Sequence, residues 1–224
     1  MEKRPVVHLT TFVLIFLIFN LTSYSQKAFE GIIDYKIEVK LKKLDHLYNE
    51  YYAQKYGDTM RVYISKNGSM KREYLGSGEM GYDWAIYRQD KNEFYAKWKS
   101  MDSIFYYNCE EVMTELKSFE AGPIKQILGR DCRSIIIEAF EPIEEVSVIQ
   151  KFYFSGEEYI QDGTYDKFKD GYLDKFYSTS GAHFLEWELE QNFIIVNFEA
   201  ISIERKKIGK EIFKIPNGIE LVKQ

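Results

Sequence analysis

Residues 127–154, ILGRDCRSIIIEAFEPIEEVSVIQKFYF, leave this chain the fewest ways to fold. Arg133, Ile135, Ile137 and Ala139 alternate with Cys132, Ser134, Ile136 and Glu138. After the charged stretch 141–145 the chain returns, with Val148, Phe152 and Phe154 on one side. Successive side chains of a strand point to opposite faces, so a period of two specifies an extended segment with one face against a core. Two such runs joined by a charged turn predict an antiparallel pair, with a cysteine near the start of its first strand.

The same period recurs elsewhere. In residues 30–41 (EGIIDYKIEVKL), Ile33, Tyr35, Ile37, Val39 and Leu41 alternate with Asp34, Lys36, Glu38 and Lys40. That is a long antiparallel strand with one wet face. Residues 60–65 and 69–75 flank Lys66-Asn67-Gly68, a strong hairpin signal. Residues 82–88, 93–99 and 103–108 are short aromatic-rich runs separated by polar pieces, which predicts a meander. Residues 184–189, 193–205 and 211–216 read as further strands, and residues 111–120 as a strand in preference to a short helix. Only residues 44–56 change period: Leu44, Leu47, Tyr48, Tyr51 and Tyr52 recur at three and four, with Asp45 to cap the start and Gly57 to stop it. This predicts one amphipathic helix packed over the sheet.

Residues 159–177 are the least regular. Asp162, Asp166, Asp170 and Asp174 recur every four residues. A calcium loop of the EF-hand type needs acids two apart and a terminal Glu, so the spacing predicts a solvated loop with a short helical turn.

The first residues carry an address. Lys3 and Arg4 precede an apolar run with Val6, Val7, Leu9 and residues 12–19, and small Ser23 and Ser25 follow at alternate positions. That order reads as a secretory signal peptide, with cleavage expected after Ser25 and a single domain over 26–224; the competing reading is an uncleaved membrane anchor, but the apolar run is short of the ~20 residues a span needs. The expected location is periplasmic or secreted. The whole chain has a net charge of −5 with the two signs interspersed, which argues against a nucleic-acid partner. Cys109 and Cys132 are the 2 cysteines. In an oxidising compartment they form either one disulfide or two buried thiols on separate strands. Their spacing supports neither a redox motif nor a zinc site.

Signals for chemistry are sparse. His46 and His183 lack a recognisable nucleophile or metal partner, and no G-x-S-x-G, P-loop, H-E-x-x-H or dinucleotide fingerprint occurs. Glu186, Glu188 and Glu190 alternate on one strand. Glycosidase chemistry needs two carboxylates at a set separation in a cleft, whereas acids along one strand face usually mean that the face is wet. The reading is therefore a non-enzyme, with no cofactor. Aromatic residues make up 17% of the chain. They fill cores in β proteins, but they also line concave surfaces that hold an acyl chain, a sugar or a peptide. Tyr35, Ile37, Trp84, Tyr95, Trp98 and Trp187 are the candidate ligand contacts, as large residues on predicted strands.

Several short motifs carry a family likeness: Phe29-Glu30-Gly31-Ile32-Ile33-Asp34-Tyr35, Tyr56-Gly57, Ile127-Leu128-Gly129-Arg130-Asp131-Cys132, Ala200-Ile201 and the closing Ile212-Phe213-Lys214-Ile215-Pro216. With these the chain resembles the LolA-like and GLPGLI-like secreted domains of unknown function from Bacteroidota. The family often has a proline before the strand that matches 184–189, and residues 178–183 contain none. The resemblance implies a mainly β domain with minor α: a curved antiparallel sheet folded as a half-open barrel around one or two helices. It also implies a carrier that holds a lipid or the acyl chains of a lipoprotein in the concave face, and it supplies no catalytic residues. The alternative expectation is a non-catalytic envelope domain that binds a protein partner.

Overall fold

The computed structural model describes residues 27–42, 46–143 and 145–224. The signal-peptide reading, its cleavage after Ser25 and the helix cap at Asp45 lie outside the described residues, as do the side chains of Leu47 and Tyr48.

Strand β1 (Gly31–Leu41) shows how the alternation is used. Ile33, Tyr35 and Ile37 are buried, while Lys36 between them is exposed. Helix α1 (His46–Tyr56) follows and ends at Gly57, whose φ of 74° suits glycine. Strands β2 (Thr59–Ile64), β3 (Met70–Leu75), β4 (Tyr82–Arg88), β5 (Glu93–Trp98) and β6 (Ile104–Asn108) then form an antiparallel meander outward from β1. The turn between β2 and β3 carries Gly68 at φ 90°, a left-handed value that glycine adopts without strain.

The second half builds from the other side. Strands β7 (Glu115–Ala121), β8 (Lys125–Ile127), β9 (Arg130–Glu141), β10 (Val146–Tyr159), β11 (Ala182–Glu190) and β12 (Ile194–Arg205) follow, with helix α2 (Leu173–Ser180) between β10 and β11. The expected pair over 127–154 is β9 with β10, in a register that sets Phe152 opposite Ile135. β12 returns to pair with the free side of β1. The sheet order is therefore β6-β5-β4-β3-β2-β1-β12-β11-β10-β9-β7, with β8 beside β9 and the short β13 (Leu221–Lys223) parallel to β6.

The connections require this sheet to curve. β6 and β7 are ten ladders apart, about 48 Å if the sheet were flat. The link through residues 109–114 reaches at most about 25 Å. The result is a mainly β fold, one large curved and unclosed antiparallel sheet with two short helices.

Each face has its own core. Ile33, Tyr35, Met60, Ala85, Tyr87, Ile137, Phe152 and Phe198 meet on the inner face with Phe168 and Phe176. On the outer face Ile32, Ile86, Tyr95 and Ile104 are covered by Ile208 and Phe213 from the C-terminal segment.

Two expectations are corrected. Residues 211–216 are not a strand: Lys210–Phe213 is a short 3-10 helix. The outer edge of β6 is taken by β13, and the apolar side chains before it close the outer core instead. Residues 159–177 are not a solvated loop either. Tyr165, Phe168, Phe176 and Tyr177 are buried, so the segment folds into the concavity as a plug. The spacing of the aspartates hid this, because Tyr165 and Phe168 fall between them and Phe176 and Tyr177 follow the last.

Candidate functional site

The plug is fixed to the sheet by polar contacts made through its backbone. Asn92 Nδ2 donates to the Lys167 carbonyl at 2.8 Å, and Gln89 Nε2 donates to the Thr164 carbonyl at 3.2 Å. The Cys109 carbonyl accepts from the amides of Lys169 and Asp170, at 2.8 and 3.1 Å. Ring stacking completes the seat: Phe168 lies on Tyr87 of β4 at 4.1 Å, and Phe176 packs on Phe152 of β10 at 4.6 Å.

The plug does not fill the concavity. A cavity of about 250 Å³ remains between β3–β6 and β10–β11. Its origin can be traced in the sheet register. Across the inner face, Val62, Arg72, Ala85 and Ala96 lie side by side on β2, β3, β4 and β5. Of these, Ala85 lines the cavity with Arg72 and leaves space that a larger side chain would take. Tyr82, Phe94, Tyr107, Phe152, Phe184 and Trp187 supply aromatic walls around that space.

Arg72 projects into this aromatic setting. Its guanidinium lies 5.8 Å from the Phe94 ring centre and 5.6 Å from that of Trp187. Trp187 is four ladders away, about 19 Å on a flat sheet, so the contact exists only because the sheet curves. Among the described residues no carboxylate lies within 4.0 Å of this cation. A cation over a ring face gains about 0.5–2 kcal/mol. Taking an ion out of water costs several kcal/mol. Burial works against the charged guanidinium, but it also donates a hydrogen bond to the Tyr74 hydroxyl, and its pKa stays raised.

Asp170 lines the same cavity and accepts a hydrogen bond from the Tyr107 hydroxyl at 2.7 Å. Burial pushes its carboxyl above the ordinary range, against the pull of that hydroxyl and of Arg72. Gln150 Nε2 donates to the Gly171 carbonyl at 3.1 Å and holds the plug at the cavity rim. Among the described residues the buried Trp187 indole N–H has no hydrogen-bond partner. The site is therefore an apolar, aromatic space with a small set of oriented polar groups, which is the composition of a ligand pocket.

The candidate contacts named from sequence separate into three groups. Trp187 lines the cavity and stacks on Phe198 at 4.8 Å. Tyr35, Ile37 and Trp98 share the inner face but belong to the core: the Tyr35 hydroxyl donates to the Phe184 carbonyl at 2.8 Å, and Trp98 packs on Tyr82 at 4.8 Å. Trp84 and Tyr95 face the other way, into the outer core under the C-terminal segment. Their placement is corrected because one residue of register reverses the face. Arg72, Tyr107 and Asp170 were not named from sequence. Arg72 did carry a signal: it sits between Met70 and Tyr74 on the inward parity of β3, a cation where an apolar residue is expected.

The carboxylates on β11 do not form a cleft. Glu188 pairs with Lys151 at 2.8 Å and Glu190 with Lys42 at 2.5 Å. Glu186 is buried rather than wet, and Lys125 pairs with it at 2.5 Å. Cys109 and Cys132 are both buried free thiols, so of the two readings left open the structure has the unbridged one. His183 is buried among rings. Among the described residues no group of three or more His, Cys, Asp or Glu is placed to hold a metal ion. No protein-family model matches the chain, and no curated protein is found to be similar to it.

Proposed function

We propose that the protein is an exported, non-catalytic binding protein that carries a small amphipathic molecule in the concave face of its sheet. The observation that carries this reading is the aromatic-walled cavity of about 250 Å³ between the two halves of the sheet. Pockets for drug-sized ligands span roughly 300–1,000 Å³. The space suits one short chain or ring system, and a single lipid tail fits it better than the several acyl chains of a lipoprotein. Absence of catalysis is supported by the acids of β11, each of which is engaged by a lysine. Export is supported by the order of basic, apolar and small residues at the start of the chain.

An envelope interaction domain is the second reading. The open edge of β7 favours it, because an unpaired edge can accept a strand from a partner. Exposed Glu115, Lys117 and Glu120 on that strand blunt the edge and weigh against it.

Native mass spectrometry of the protein expressed with export and purified without detergent tests the proposal. The expected result is a reproducible added mass that solvent extraction removes and identifies as a small amphipathic molecule. A bare monomer that also takes up no added amphiphile counts against it, and a bare dimer favours the interaction reading.

A further inference from the structure

We propose that Arg72 is the headgroup anchor of the cavity and that the ligand is a monocarboxylic acid with an apolar body. This rests on the reading of the cavity as a ligand site and adds the chemical class. Three observations carry it. The guanidinium lines the cavity and has no carboxylate within ion-pair distance among the described residues. It lies 5.8 Å from the Phe94 ring centre and 5.6 Å from that of Trp187, and the Tyr74 hydroxyl takes one of its N–H donors, which leaves the remaining donors for a ligand. The floor beside it is Ala85, so the volume next to those donors is open.

A planar fork of N–H donors matches a carboxylate with two parallel hydrogen bonds, and no other side chain matches it so well. The aromatic walls around the remaining space suit a hydrocarbon or aryl body. Asp170 lies across the same cavity, and burial already favours its protonated form. That bias lessens its repulsion of an incoming carboxylate. The Tyr107 hydroxyl that Asp170 accepts from holds it in place at the wall.

The experiment compares matched acids and alcohols by isothermal titration calorimetry: octanoate with octanol, and phenylbutyrate with phenylbutanol. Wild type is set beside Arg72→Met, and Arg72→Gln takes its place if the methionine variant does not fold by circular dichroism. The expected result is that wild type binds the acids and prefers them to the alcohols. The Arg72 variant loses roughly 30-fold or more of acid affinity, as truncation of a buried charge pair does, while alcohol binding changes little. Equal binding of acid and alcohol, unchanged by the Arg72 variant, overturns the headgroup assignment and leaves the cavity a ligand site. Absence of binding for all four compounds at millimolar concentration overturns both.

Discussion

Glu186 of β11 stands directly opposite Glu199 of β12, and the two share one ammonium: Lys125 Nζ lies 2.5 Å from the first carboxylate and 2.7 Å from the second. Like charges facing each other across a ladder destabilise it, and Glu186 is also buried. Burial raises its pKa, with Lys125 opposing the rise. A carboxyl whose folded pKa lies above its unfolded value loses stability as pH rises through the unfolded value, and acid restores it. Lys125→Met is expected to cost about 1–3 kcal/mol at neutral pH, a buried-pair loss discounted for the part-exposed lysine. The cost shrinks at pH 5. Urea unfolding at the two pH values checks this, and a loss of equal size at both counts against it.

His183 sets an acid limit. Burial among Phe29, Tyr165 and Tyr177 pulls its pKa from 6.5 down to about 3. The unfolded chain then binds a proton that the folded chain refuses. The stabilisation is complete above the unfolded pKa and is lost as pH falls from 6.5 towards 3. At pH 5 the loss amounts to about 2 kcal/mol. His183→Phe is expected to remove this part of the acid sensitivity. Parallel stability profiles for wild type and variant between pH 7 and 5 are the result that contradicts it.

Glu158 is fully buried and is held by Arg130 at 2.7 Å and by the Ser155 hydroxyl at 3.0 Å. Removing the cation alone strands the carboxylate in the interior. Arg130→Met is expected to cost about 2–4 kcal/mol, and adding Glu158→Leu to recover most of it. A double-mutant cycle read by thermal unfolding measures the coupling; additive losses show that the pair does not act as a unit.

The two thiols are expected to be inert in the native protein. Cys109 and Cys132 are fully buried, and burial pushes both thiols above their ordinary pKa. Neither should react with an aromatic disulfide reagent until the chain is unfolded, when both do. An intact mass two hydrogens below the sequence value, with no free thiol after unfolding, is the contrary outcome.

The sheet was legible because its strands alternate. Ile33, Tyr35 and Ile37 reach the core as their parity demands, and Asn67-Gly68 turns where it should. Ring-rich strands were harder. Trp84 and Ala85 are neighbours on β4, and which of them faces inward depends on β1 pairing with β12, a contact between chain ends that no local pattern encodes. The aspartate series misled for a related reason. Asp162 and Asp166 are exposed, but Asp170 is carried to the cavity by Cys109, on a strand margin far away in sequence. The cavity owes much to the missing side-chain volume at Ala85, and such an absence has meaning only once the register of β4 against its neighbours is known.

The ladder between β1 and β12 joins Gly31 to Arg205, whereas most other neighbours in the sheet lie close together along the chain. Each half can therefore assemble from local contacts, but their union must wait for the last large strand. Loop closure over so long a span is entropically costly and slow. Until β12 is synthesised, β1 keeps an apolar strand with one bare edge, open to pairing with another chain. The topology thus predicts an order of folding: two meanders early, one seam late, and the β13 latch after it.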